Sequence, residues 1–142
     1  MKYWLFKSEP EAWSWDNMVA AGPAGTGWSG VRNHGAKLNM MAMKIGDEGF
    51  FYHSNEGKEI VGIVVVCAPF HPDPSDAGGK FGMVDVKALR PLEHPVTLAA
   101  IKAEKRLSEM ALVTNSRLSV QPVTAAEWKL IGAMARTPAG GE

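Results

Sequence analysis

Glu59-Ile60-Val61-Gly62-Ile63-Val64-Val65-Val66-Cys67-Ala68 is the stretch on which the fold turns. From Ile60 it is apolar without a break for about nine residues, well short of the roughly 20 that cross a membrane as a helix. Its Val/Ile content reads as a strand, and its lack of alternation predicts a central strand buried on both faces. Residues 49–53 before it and 82–89 after it read as strands too. In the latter, Val84, Val86 and Ala88 face one way, Asp85 and Lys87 the other. Residues 2–8 alternate as well, with Tyr3, Leu5 and Lys7 opposite Trp4, Phe6 and Ser8. Residues 111–114 and 118–121 read as two further short strands.

Helices are few. Ser14 caps a short one over residues 15–21, stopped at Gly22. Asn33 opens another that runs through Met43. Residues 97–110 read as two short helices. Thr124 and Glu127 have capping-box spacing, and Trp128, Ile131 and Ala135 share a face beyond them. Strands and helices do not alternate regularly, which excludes a doubly wound parallel sheet. The expectation is an α+β fold, a mixed and mostly antiparallel sheet curled toward a barrel with short peripheral helices. Residues 71–80 form a Pro/Gly/Asp loop, and residues 137–142 read as a disordered tail after one domain over residues 1–136.

The totals agree with an ordinary globular chain: 142 residues, 46% hydrophobic and 21% charged. The single cysteine, Cys67, lies in the apolar run and cannot pair within the chain, which fits a reducing, cytoplasmic setting. Fifteen basic and fifteen acidic residues leave no net charge. A protein that grips long duplexes through phosphates shows a basic excess, so any nucleic-acid footprint here is small or its cations are locally clustered. A monomer is expected, with no membrane, metal or cofactor partner.

Four polar segments interrupt or end the apolar strands: residues 7–10, 28–33, 52–55 and 117–122. Brought together, they would supply aromatic faces, amides, hydroxyls, a carboxylate and an arginine, a set suited to a planar heterocycle. Each piece has a plainer reading. Trp4 and Trp128 sit in regular periodicity and read as core. Trp28 lies in a Gly-rich stretch without periodicity, as pocket or as core. Arg32 reads equally as a structural ion pair, Asn33 as a helix cap and His53 as a satisfied core histidine. Catalytic constellations are missing: His53 and Ser54 are adjacent on a strand and face opposite ways, and the four histidines have no ligand spacing.

Residues 3–10, 28–33, 46–54, 83–86 and 117–123, five blocks in order, resemble the EVE domain family over nearly the whole chain. The resemblance implies a PUA-like pseudo-barrel, similar to the YTH domains that read methylated adenine, and a non-enzymatic module that holds a modified nucleobase of DNA or RNA. Methylated or hydroxymethylated cytosine is the leading candidate. By motif position the base pocket would draw on Ser8 and Glu9, on Trp28, Arg32 and Asn33, on Tyr52, His53 and Ser54, and on Ser119 and Gln121. Trp28 and Tyr52 would stack on the base, Asn33 and Ser54 would bond its edge, and Arg32 would hold a phosphate or order the loop. The segments 71–80 and 102–110 are more compact than in longer members, which tilts the expectation from DNA toward RNA, or toward a base presented by another partner. An enzyme or sensor for a small nucleoside-like molecule is the alternative.

Overall fold

The computed structural model describes residues 1–136; the expected tail lies outside the described residues. The strands are β1 (Tyr3–Ser8), β2 (Thr26–Gly27), β3 (Glu48–His53), β4 (Glu59–Pro72), β5 (Gly82–Thr97) and β6 (Val120–Val123). The helices are α1 (Trp15–Ala20), α2 (His34–Ala42), α3 (Leu98–Ala103), α4 (Ala111–Thr114) and α5 (Ala125–Met134). The strands form one sheet in the order β2-β5-β4-β3-β1-β6. Only β1 and β3 pair in parallel; the remaining pairings are antiparallel. The sheet is not a closed barrel, since β2 and β6 are its two edges.

Period-two alternation distributes the sheet's side chains between two cores. Trp4 and Phe6 of β1, Phe51 of β3, Val64 and Val66 of β4, and Val84 and Val86 of β5 enter the first core. Met18 of α1, Trp28, and Ala36 and Met40 of α2 cover it. Leu5, Phe50, Tyr52, Ile60 and Ile63 enter the second, beneath Ile101 of α3, Leu112 of α4 and Ile131 of α5. Two-sided burial is why β3 and β4 read as continuous apolar runs. Trp128 seals the second core by stacking on Tyr3 and Phe50, with ring centroids 4.4 and 4.1 Å away. Trp4 is buried as expected, and its indole N–H donates to the Asp47 carboxylate at 3.1 Å. Burial pushes that carboxyl's pKa up, but hydrogen bonds from Trp4 and from the backbone of Lys44 and Lys2 outweigh it and hold the pKa low.

Four expectations about elements need correction. Residues 111–114 are helical, not extended. Their backbone closes a single turn, with the N–H groups of Thr114 and Asn115 donating to the carbonyls of Met110 and Ala111 at 3.0 and 2.8 Å. The last strand starts at Val120, because residues 115–118 are held as a turn by Leu118 N–H on the Asn115 carbonyl. β5 runs on past Leu89 to Thr97, and β4 to Pro72, since register shifts let both strands bend while still paired. β2 was not foreseen: two residues without apolar alternation form an edge strand only because β5 is there to pair with.

Gly25, just before β2, has φ +68°, and a Cβ there would stand 2.3 Å from the Val86 carbonyl oxygen. Gly25→Ala is expected to destabilise the protein by about 2–4 kcal/mol in urea unfolding, from left-handed strain plus overlap with immovable backbone. A loss below about 0.5 kcal/mol, the size of a neutral surface change, would show that β2 can move aside freely.

Candidate functional site

The first core opens at one end into a cleft of about 560 Å³. Because β1 ends there, it delivers Lys7, Ser8 and Glu9 to the wall. The turn that follows adds Trp13, held by backbone N–H groups of Ala12 and Trp13 on the Glu9 carbonyl, both at 2.9 Å. Opposite lies the segment from Trp28 to Arg32, and Ser119 closes the wall from the approach to β6.

Trp28 belongs to both core and cleft. It is 9% exposed, it lines the cleft, and it packs edge-to-face on Phe6 and Phe51 at 5.2 and 5.8 Å. Its backbone N–H donates to the Val84 carbonyl at 2.8 Å, so β5 sets its position. The other end of the segment is moored on Asp73. The Gly30 N–H donates to Asp73 Oδ2 at 2.8 Å, and Arg32 reaches the same oxygen at 3.4 Å. The Ser75 N–H and hydroxyl both donate to Oδ1 at 2.7 Å. Burial pushes the Asp73 pKa up, but these four donors outweigh it and bring the pKa to about 2. Arg32 is therefore in the ion pair that its plain reading expected, while its side chain stays 42% exposed at the cleft rim.

Lys7 is half-buried, and its ammonium donates to the Ser116 carbonyl at 2.8 Å. Burial pulls its pKa below the ordinary lysine value. The Ser8 hydroxyl donates to the Trp13 carbonyl, which fixes the turn that carries the indole.

Of the ten residues expected in the pocket, Ser8, Glu9, Trp28, Arg32 and Ser119 line this cleft. The other five lie elsewhere. Tyr52 sits 3% exposed in the second core, across the sheet from Trp28. Phe51 faces Trp28, so alternation sends its neighbour Tyr52 to the other side. Burial there raises the phenol's pKa. Asn33 is the cap of α2, its Oδ1 accepting the Ala36 N–H at 2.9 Å. His53 accepts the Trp15 N–H on Nε2 at 3.0 Å and so ties α1 to β3. Burial lowers its pKa, against the opposing charges of Glu59 and Asp16. Ser54 donates its N–H to the Ser8 carbonyl at 2.9 Å, and its place is at the end of β3. Gln121 is wholly buried, and its amide nitrogen donates to the carbonyls of Leu118 and Asn115. Its side-chain oxygen has no partner among the described residues. These five brace the neighbourhood and do not line the cleft.

Trp13 was missed. It stands between Glu9 and Ser14 without periodic context, the same criterion that singled out Trp28, and would have been found by it. Among the described residues, no three His, Cys, Asp or Glu side chains stand close enough together to hold a metal ion. No helix among them is long and apolar enough to cross a membrane.

Removing the Asp73 charge should loosen the segment from Trp28 to Arg32. Asp73→Asn is expected to cost about 1–3 kcal/mol at neutral pH, because it weakens several charge-assisted bonds. The carboxyl's folded pKa lies below its unfolded value of 3.8, so its contribution is complete above that value and is lost as pH falls through about 2. The stability gap between wild type and variant, measured by denaturation across this range, should narrow toward pH 2. A gap of constant size would show that the charge is not what holds the segment.

The EVE domain model matches residues 2–134. Human thymocyte nuclear protein 1 is 33% identical over 161 residues, spanning 91% of this chain and 72% of its own length. A Rhodopseudomonas palustris protein solved by NMR is 63% identical, superposes with a TM-score of 0.91, and is covered over 96% of this chain and 94% of its own. The human THYN1 protein, solved in complex with DNA containing 5-methylcytosine, is 31% identical with a TM-score of 0.90 over 96% of this chain and 99% of its own. With a family match over nearly its whole length and solved relatives of the same shape, this chain belongs to the EVE domain family.

Proposed function

We propose that this chain is a non-enzymatic module that takes a modified nucleobase of DNA or RNA into the cleft between Trp13 and Trp28. One observation carries the reading: two tryptophans and a set of polar groups converge on one opening of about 560 Å³, within the range of small-molecule sites. Aromatic faces hold a base by stacking, at about 1–3 kcal/mol per base. Trp28 offers the floor and Trp13 the wall, a pairing that replaces the expected stack of Trp28 with Tyr52. Ser8, Glu9 and Ser119 supply donors and acceptors for the base edge, joined by Lys7. Arg32 serves at the rim. Asn33, Tyr52, His53, Ser54 and Gln121 act at one remove, through the caps and strand ends they hold.

The complex of human THYN1 with methylcytosine DNA supports this class of ligand and makes DNA the first polymer to test. A binding role rather than catalysis is supported by His53, whose Nε2 is engaged by the Trp15 N–H and whose side chain does not line the cleft. A cytoplasmic setting, supported by the unpaired and half-buried Cys67, is part of the same reading.

The test is a titration of short labelled DNA and RNA strands carrying cytosine, 5-methylcytosine, 5-hydroxymethylcytosine or N6-methyladenine. One modified strand is expected to bind more tightly than its unmodified twin. Trp13→Ala should weaken that binding by roughly 5- to 150-fold, the equivalent of one lost stack. Trp13 is only partly buried, so the variant should stay folded, and the folded fraction can be checked by circular dichroism. Equal binding of all strands by the wild-type protein, or an undiminished affinity of Trp13→Ala for the preferred strand, would overturn the assignment of the cleft.

A further inference from the structure

We infer that the cations gathered around Phe81 form a surface for the phosphate backbone of the nucleic acid whose base the cleft accepts. The inference rests on the proposed base-binding function and adds to it a second, sequence-blind contact.

A chain without net charge can bind a polyanion only where its cations are gathered locally. Phe81 gathers them. The Arg32 guanidinium carbon lies 5.7 Å and the Lys37 ammonium 5.6 Å from its ring centroid. The His34 ring stands 5.3 Å away, tilted by 39°. Lys80 is next in sequence and exposed, and its carbonyl accepts the Lys37 ammonium at 2.6 Å. A helix start and a loop from distant parts of the sequence are thereby locked together around one ring. A cation held over an aromatic face keeps its charge, as Lys37 does, whereas Arg32 shares its charge with Asp73.

Two carboxylates share this region; both accept N–H groups of the loop, and their charges fall on Arg32. The Asp73 side chain is fully buried beneath its four donors. Asp76 accepts the N–H groups of Phe81 at 2.7 Å and Gly78 at 3.1 Å. No ion pair involving Lys37 or Lys80 occurs among the described residues. Their charges are free for an external anion. Arg32 joins the surface to the cleft, since it both lines the opening and stands over Phe81. A strand with one base in the cleft would lay its neighbouring phosphates across this collar. Such contacts position the strand and carry no sequence information.

The experiment measures binding of one modified and one unmodified single strand across a salt series, with the intact chain. Lys37→Gln combined with Lys80→Gln should weaken both strands alike. The slope of log affinity against log salt should become shallower by about 1.4, or about 0.7 for each phosphate no longer neutralised. The ratio between modified and unmodified strands should stay as in wild type. Because Lys37 also bonds the loop, Lys80→Glu is made alone; the Lys80 side chain forms no ion pair, and a shallower slope is expected again. Lys102→Gln with Lys129→Gln, on helices α3 and α5 that cover the second core, should leave the slope unchanged. An unaltered slope in both collar variants, or an equal change in the Lys102 and Lys129 control, overturns the surface while the cleft assignment stands. A collapse of the modified-to-unmodified ratio in the collar variants overturns it too, by showing that these lysines read the base. Failure of the wild-type protein to bind any strand overturns the cleft assignment and the surface together.

Discussion

The parallel pairing of β1 with β3 is the constraint from which the rest of the molecule follows. In register from Tyr3 opposite Glu48 to Ser8 opposite His53, the two strands run side by side through the middle of the protein and are buried on both faces. Each successive side chain must therefore enter a different core, and each core needs its own cover of helices. Because the strands are parallel, both finish at the same end of the sheet. There the backbone of Ser54 meets the backbone of Ser8, and polar side chains replace apolar ones. The cleft opens where the paired strands run out of apolar sequence.

Trp28 serves the first core and the cleft wall at once. One side of its indole completes the first core against Phe6 and Phe51, and the residue still lines the cleft. Packing against Phe6 and Phe51 fixes the ring and leaves it little rotational freedom. The segment after it has no such packing. It depends on a buried carboxylate, Asp73, supplied by the far end of β4 and saturated by donors from the segment and from its own loop. Removing a partner from such a site leaves unpaired polar groups, which is why Asp73 matters more than a surface acid would.

The chain belongs to the EVE domain family, and the geometry shows which of the motif residues line its cleft. Motif position placed Tyr52 beside Trp28, whereas alternation along β3 places them on opposite sides of the sheet. Trp13, carried by a turn that the Ser8 hydroxyl pins, lines the cleft with Trp28. The compactness of the loop after β4 had argued against an extended contact with DNA. The same loop brings Phe81 and the Lys80 carbonyl up to Lys37 of α2.

Much of the fold could be read from the sequence alone, because it rests on local periodicity and local hydrogen bonds. The run after Glu59 announced a central strand, the alternation from Tyr3 to Ser8 assigned Trp4 and Leu5 to opposite faces, and Ser14, Asn33 and Thr124 marked the helix starts they cap. Half of the expected cleft was legible for a similar reason: Ser8, Glu9, Trp28, Arg32 and Ser119 lie where apolar pattern gives way. What the sequence could not decide was which strand ends meet and which partner satisfies each polar side chain. Gln121 stands in a polar segment by sequence, but its amide closes a turn in the fold, and β2 exists only because β5 lies beside it. Those outcomes depend on contacts between residues distant in the chain, whose energies local pattern does not encode. The tertiary structure alone decided them, because a buried polar group must take whatever partner the packed chain brings within reach.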